Sequence, residues 1–359
     1  MNLFIIPHAH TEYTKQCLYP IFDQIIPNFT RIIYVSTLHL YAPNIIINTM
    51  DFNDNKLPFF NDIEYYARFH TELQINNKVQ QKEHSFYFNI PFLTSLIDRM
   101  NQKLPRELPR NLQRNLQRNL PKNSPRELPR NLQRKLPKKL MNKPNKMTQK
   151  ITKKIPICVF YIHTEVNPGY FFDFVADLNR LYQSDYLYLF NSDFSHLNYI
   201  NEIQSNPVQF PYIRDELNKR EMPWIHRLMA NERPMFQNEY SKFIGCGGAV
   251  IAMVSHLNFI NTGKLLCKTD SQTKVNYLKY SNSIPNSRQQ VVSYVTIGYS
   301  SLPKIMTNHY NILWQYNKKN DGYYTIYSKS KQRICKGQYK TKTHAIQKIE
   351  YFLKTRKCF

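Results

Sequence analysis

Short apolar runs alternate with segments of helical spacing along most of this chain. Leu3–Pro7 is a continuous apolar run that ends in Pro-His, the pattern of a strand buried on both faces. Tyr13–Ile26 carries apolar residues at helical spacing, interrupted at Pro20. Arg31–Ser36 is rich in β-branched residues and reads as a strand running into Thr37-Leu38-His39. Asn61–Ile75 predicts an amphipathic helix capped by Asn61 or Asp62. His84–Met100 predicts a second helix, with Pro91 moving its start later. Ile155–Tyr161 then reads as a strand, Phe171–Tyr182 as a helix and Tyr186–Phe190 as a strand. Helices over Asp215–Ala230 and Cys246–Leu257 and strands over Val275–Tyr280 and Val291–Ile297 complete the series. Strands alternating with helices predict an α/β fold around a mostly parallel or mixed sheet.

The pattern changes twice. From Leu104 to Leu140 a four-residue unit of the type Leu-Pro-Arg-Glu or Leu-Gln-Arg-Asn repeats, with proline at 105, 109, 121, 125, 129 and 137. Each proline lacks the donor a helix needs, so residues 103–150 read as a disordered, solvated, low-complexity insert. Near the C-terminus, strands over Asn311–Tyr316, Tyr323–Ser328 and Arg333–Tyr339 surround an Asn320-Asp321-Gly322 hairpin signal. Thr343 then caps a helix, His344–Arg356. The expected organisation is an α/β domain from residues 1–102 and 151–300, the insert at 103–150, and a basic ββ(β)α module at 301–359.

Composition sharpens this division. The 359 residues carry a formal net charge of +24. Residues 103–154 hold 17 Lys/Arg against two Asp/Glu, and residues 301–359 hold 13 against two. The remainder, with 19 Lys/Arg and 21 Asp/Glu, is an ordinary near-neutral surface. The two basic segments suggest weak nucleic-acid binding as an accessory property. A hydrophobic fraction of 42% supports a packed core and excludes wholesale disorder. No apolar run approaches the ~20 residues of a membrane span. The start lacks the basic region and long apolar stretch of a signal peptide. The six cysteines are scattered without a Cys-x-x-Cys pair, so neither a disulfide framework nor a zinc knuckle is expected. A cytoplasmic, reducing location follows, with the nucleus an option given the basic segments.

Candidate chemistry lies directly after the strands: His8, His39, and the pair Asp193 and His196. A fourth element is Gly245-Cys246-Gly247-Gly248, where three of only eight glycines flank one cysteine. Glycines permit close backbone approach, and a helix N-terminus is expected to lower a thiol pKa. Two imidazoles and a thiolate suit a borderline or soft transition metal. The same residues also fit plainer roles: strand-end histidines as polar caps, Cys246 as a small buried apolar group, Asp193 as a turn cap.

Motif order adds a resemblance. Ile5-Ile6-Pro7-His8-Ala9 resembles the I-x-P-H-A-G segment of the Memo family, and Arg31–Val35 followed by His39 resembles its next strand and histidine. Glu83-His84-Ser85 with Ile90-Pro91-Phe92 is similar to its E-H-S element, and Ser192–His196 to its S-D-F-x-H. Cys246-Gly247 and Val291–Val295 are similar to its C-G element and last strand. The resemblance spans residues 1–300. It implies the fold of class III extradiol dioxygenases, a central sheet with helices on both faces and a metal-centred cleft. It further implies His8, His39 and Cys246 as ligands of one transition-metal ion, copper or iron ahead of zinc. Asp193 and His196 would be catalytic acid/base groups. His84, Tyr13 and His10 would line the cleft, His10 standing where the family has glycine. The implied activity is metal-dependent redox or oxygenase chemistry on a small molecule. The alternative is a non-catalytic adaptor that binds a peptide or phosphopeptide in the same cleft, tethered to nucleic acid through the insert and tail.

Overall fold

The computed structural model describes residues 1–50, 59–70, 73–101, 154–198, 213–231, 234–243, 245–271, 290–301, 310–316, 322–328 and 332–339, and part of 348–358. Nine strands form one mixed sheet: β1 (Leu3–Ile6), β2 (Arg31–Thr37), β3 (Ile46–Ile47), β4 (Phe59–Asn61), β5 (Ile155–Ile162), β6 (Tyr186–Asn191), β7 (His196–Asn198), β8 (Ile260–Asp270) and β9 (Gln290–Ser301). The main path runs β3-β5-β2-β6-β1-β9-β7, with β4 on β5 and β8 on β9. The central four strands, β5-β2-β6-β1, are mutually parallel. β9 runs antiparallel to β1, β7 and β8.

Strand alternation divides the core into two layers. Leu3, Ile5, Ile33, Val35, Tyr188 and Phe190 face one layer, against helices Pro168–Leu181, Ile213–Ala230 and Gly248–His256. Phe4, Ile6, Ile32, Tyr34, Leu187 and Leu189 face the other, against Leu18, Ile21 and the helix at 90–101. Both faces of the central strands are buried, which is why they read as continuous apolar runs rather than as alternation. The helix Gly248–His256 is buried over Gly248–Ser255 and sits inside its layer rather than on it.

The chain departs from its local pattern at several points. The helix expected over Asn61–Ile75 is a single turn, Ile63–Tyr66, capped by Asp62 accepting from Tyr65 N–H. Tyr66 and Phe69 turn into the aromatic core beside Phe160 and Phe174, and Tyr65 packs against Phe69 and Tyr186. Gln74 then pairs with the backbone around Ile46, so extended pairing replaces the helix. The first helical segment breaks at Pro20 into Thr11–Leu18 and Ile21–Gln24. Pro91 sits in the first turn of the helix at 90–101, where its missing N–H costs nothing. Strand β8 had no counterpart in the pattern. The expected strand Val275–Tyr280, the insert 103–150 and the cap Thr343 lie outside the described residues.

The cysteines also depart from expectation. Cys17 and Cys267 form a disulfide, as do Cys335 and Cys358, leaving Cys158 and Cys246 free. Scattered spacing hid both pairs, because partners 250 and 23 residues apart in sequence form no short cysteine motif. A separate three-stranded antiparallel sheet consists of β10 (Tyr310–Tyr316), β11 (Gly322–Ser328) and β12 (Arg333–Tyr339). Among the described residues no helix is long and apolar enough to cross a membrane.

Candidate metal centre

Three adjacent parallel strands end together. Ile6 of β1 and Ser36 of β2 both stand in register with Asn191 of β6, so the residues that follow emerge side by side. The carboxyl edge of such sheets is where ligands gather. His8 leaves β1, His39 leaves β2, and Asp193 and His196 lie just after β6. Cys246 reaches the same edge from the loop before helix Gly248–His256.

That approach depends on glycine. A Cβ on Gly247 would collide with Thr37 Oγ1 and lie 2.5 Å from Ser192 Oγ. One on Gly245 would lie 2.6 Å from the carbonyl oxygens of Asp193 and Phe194. Gly247 has a φ of −126°, so closeness rather than left-handed backbone demands it.

The ligand atoms of His8, His39 and Cys246 all lie within 4.8 Å of one another. Cys246 Sγ stands 3.5 Å from His8 Nε2. A sulfur about 2.3 Å and a nitrogen about 2.0–2.1 Å from one ion, at a tetrahedral angle, are also about 3.5 Å apart. The donor set therefore fits a transition metal without rearrangement of this pair.

Neighbours set the state of each donor. Burial, then the charge of His39, lowers the His8 pKa to about 3, so its ring is neutral at pH 7. The side chain of Asn191 and the charge of Glu83 favour a proton on that ring, and His8 Nδ1 and Asn191 Oδ1 are both buried without a hydrogen-bond partner. A proton on Nδ1 leaves the Nε2 lone pair facing Cys246. His39 is held by Glu83, which Oε1 meets at Nδ1 over 3.0 Å while Oε2 accepts its backbone N–H at 2.8 Å. Glu83 Oε1 also accepts the N–H groups of His84 and Ser85, each at 2.9 Å. Burial would raise the Glu83 carboxyl, but the hydrogen bond and charge of His39 and these backbone donors outweigh it and hold the pKa at about 2. Although Glu83 also stands within reach of His39 and His84 as a second donor cluster, its oxygens are filled by four N–H groups. It serves His39 rather than an ion, and leaves His39 Nε2 for the cleft.

Asp193 Oδ1 accepts the backbone N–H of His8 at 2.8 Å, and its Oδ2 lies 3.6 Å from His8 Nε2. Burial raises its pKa to about 6. The Cys246 thiol is pushed up, not down, by burial and then by the charge of Asp193. This corrects the expected lowering: the thiol sits ahead of the helix beside the Asp193 carboxyl, where desolvation of a thiolate and that charge outweigh the helix N-terminus. The Cys246 sulfur lies beside His8 Nε2 and 3.8 Å from the Asp193 carbonyl oxygen, which accepts from the thiol.

A cleft of about 430 Å³ opens over these groups. His8, His39, Cys246, Asp193, His196, His84, Tyr13 and His10 all line it, so the structure brings every predicted site residue together. His84 stacks on His39 with ring centroids 4.8 Å apart. Phe88 and Tyr294 complete the walls. These two, with Glu83 and Asn191, were not singled out as site residues from the sequence. The only available signal was adjacency, Glu83 to His84 and Asn191 to the Ser192-Asp193 turn.

Compared with protein-family models and with curated proteins, the chain matches none.

Proposed function

We propose that this chain is a Memo-like metal-binding protein in which His8 Nε2, His39 Nε2 and Cys246 Sγ hold one transition-metal ion. The observation that carries the proposal is the meeting of these three donors at the ends of adjacent strands, with Glu83 supporting His39 and Asn191 facing His8. The donor set favours copper or iron, with zinc also compatible. Such an ion supplies Lewis-acid chemistry and, as copper or iron, one-electron chemistry. The chain's own groups do the rest. Asp193, whose pKa of about 6 lies near neutrality, holds or releases a proton at Oδ2 beside His8. His196 flanks it in the same cleft. The aromatic walls from Tyr13, Phe88 and Tyr294 exclude water from one side of a small bound molecule. Metal-dependent redox or oxygenase chemistry on such a molecule is the use we assign to the site.

The test is metal stoichiometry after addition of Cu(I), Fe(II) or Zn(II) to the wild-type chain and to Cys246→Ala. The expected result is one tightly held ion in the wild type and its loss in the variant, with the unfolding transition retained. A wild type that holds none of the three ions would overturn the proposal.

A further inference from the structure

One wall of the cleft is fastened by a disulfide. The helix Thr11–Leu18 supplies Tyr13 to the cleft, and Ala9 and His10, just ahead of it, line the same space. Both are joined to the helix: His10 O accepts the Tyr13 N–H at 2.9 Å, and Ala9 O accepts the Thr14 hydroxyl at 3.2 Å. The helix is eight residues long, and an isolated helix of that length is marginal in water, so tertiary contacts must hold it. Thr14, Cys17 and Leu18 are buried, whereas Tyr13, Lys15 and Gln16 are exposed. Tyr13 and Cys17 are four residues apart and share a helix face. Strands β8 and β9 receive that face. Cys267 of β8 stands in register with Thr296 of β9, whose hydroxyl donates to the Cys17 carbonyl oxygen at 2.8 Å. Tyr294, two residues before Thr296 and on the same side of β9, is another wall of the cleft. The Cys17–Cys267 bond therefore ties the helix to the strand pair beside the cleft.

The two sulfurs differ in access, since Cys17 is fully buried and Cys267 is half-buried. Exchange requires a thiolate to reach one sulfur, so Cys267 is the one a reductant meets first. We propose that the Cys17–Cys267 pair is a thiol-exchange site for a dithiol reductant, and that its redox state sets access to the cleft. One thiolate of the dithiol attacks Cys267 Sγ, a mixed disulfide forms, and Cys17 leaves as a thiolate that takes up a proton. The second thiolate of the dithiol displaces Cys267, which is protonated in turn, and the dithiol ends as a disulfide. Two electrons pass from the dithiol to the chain. The cross-link joins residues 250 apart in sequence, the kind that restricts an opened chain most. Its reduction leaves the short helix held by its few buried side chains, so Tyr13 and His10 leave their places over the cleft more often. The proposal concerns the cleft wall and does not depend on a bound ion.

Cys246, a free cysteine lining the same cleft, is the reporter. Its alkylation by iodoacetamide is followed by mass spectrometry in the full metal-free chain. Wild type is compared with Cys17→Ser/Cys267→Ser and with Cys335→Ser/Cys358→Ser, which removes the other disulfide. The expected rate is about fivefold above wild type or more in the first variant, and within about twofold of wild type in the second, because only the first frees the cleft wall to open locally. The second variant is then treated with dithiothreitol, which can act in it only on the Cys17–Cys267 bond, and desalted before alkylation. The same acceleration is expected, and this arm decides the matter if the first variant does not fold. An unchanged rate of Cys246 alkylation once the Cys17–Cys267 bond is gone would overturn the proposal. So would a bond that dithiothreitol fails to reduce in the folded chain.

Discussion

Glu83→Gln isolates the part of the site that organises His39. The carboxylate accepts four N–H groups: His39 N and Nδ1, His84 N and Ser85 N. The amide keeps one oxygen and presents an NH₂ to donors at the other end. At least one charge-assisted bond is lost and one buried donor is left unsatisfied, a cost of about 2–4 kcal/mol in stability. His39 also loses the partner that fixes its tautomer, which costs about 10–100-fold in metal affinity, or about 1.4–2.7 kcal/mol. The acid limb of stability changes too. Because the folded pKa of about 2 lies below the ordinary 4.5, Glu83 stabilises the fold above pH about 4.5. That contribution is lost as pH falls towards 2, and a shift of this size is worth about 3 kcal/mol. Urea unfolding at pH 7 and pH 3 reads the stability, and competition with a chromophoric chelator reads the metal affinity. The variant should be weaker on both counts at pH 7 and should lose less on acidification than the wild type. A metal affinity within threefold of wild type, with an unchanged acid limb, would refute the positioning argument.

Two further outcomes are expected. Loading the metal should release about one proton per ion at pH 7, because the Cys246 thiol is protonated beforehand and coordinates as thiolate; affinity should therefore fall about tenfold per unit of pH decrease below 7. Calorimetry in buffers of different ionisation enthalpy measures the proton count, and a value of zero would show that sulfur takes no part. Gly247→Ala should destabilise the fold by about 1–3 kcal/mol, since the new Cβ meets Thr37 and Ser192, and should weaken metal binding by moving Cys246. Denaturant unfolding beside the chelator competition checks both, and a variant equal to wild type in each would show that the loop does not need the close approach.

The residues that were legible in the sequence are those next to a strong pattern. β1, β2 and β6 are buried on both faces and so read as uninterrupted apolar runs. The polar residues at their ends, His8, His39 and Asp193, stood out for that reason. The closely flanked Cys246 was legible because glycine is scarce in this chain. Glu83 was not, because a carboxylate in a polar stretch looks solvent-facing until tertiary structure supplies its four donors. The raised Cys246 thiol is not legible in the sequence, because its helix is visible there while its desolvation and the neighbouring Asp193 charge are not. The segment Asn61–Ile75 has helical spacing, yet Tyr66 and Phe69 gain more from packing against Phe160 and Phe174 than from continuing the helix. β8 was missed because most of its residues are only half-buried, so they keep neither an apolar run nor a clean alternation. The Cys17–Cys267 pair joins elements far apart in sequence and had no signal to read.

X-ray absorption on the protein loaded with one equivalent of Cu(I) or Zn(II) tests the central claim most directly, because it reports the donor atoms themselves. A His/His/Cys centre predicts one sulfur scatterer at about 2.3 Å for zinc, with imidazole nitrogens at about 2.0–2.1 Å, and loss of the sulfur signal in Cys246→Ala. A wild-type spectrum with only nitrogen and oxygen scatterers would contradict the assignment of Cys246, and with it the metal centre described above.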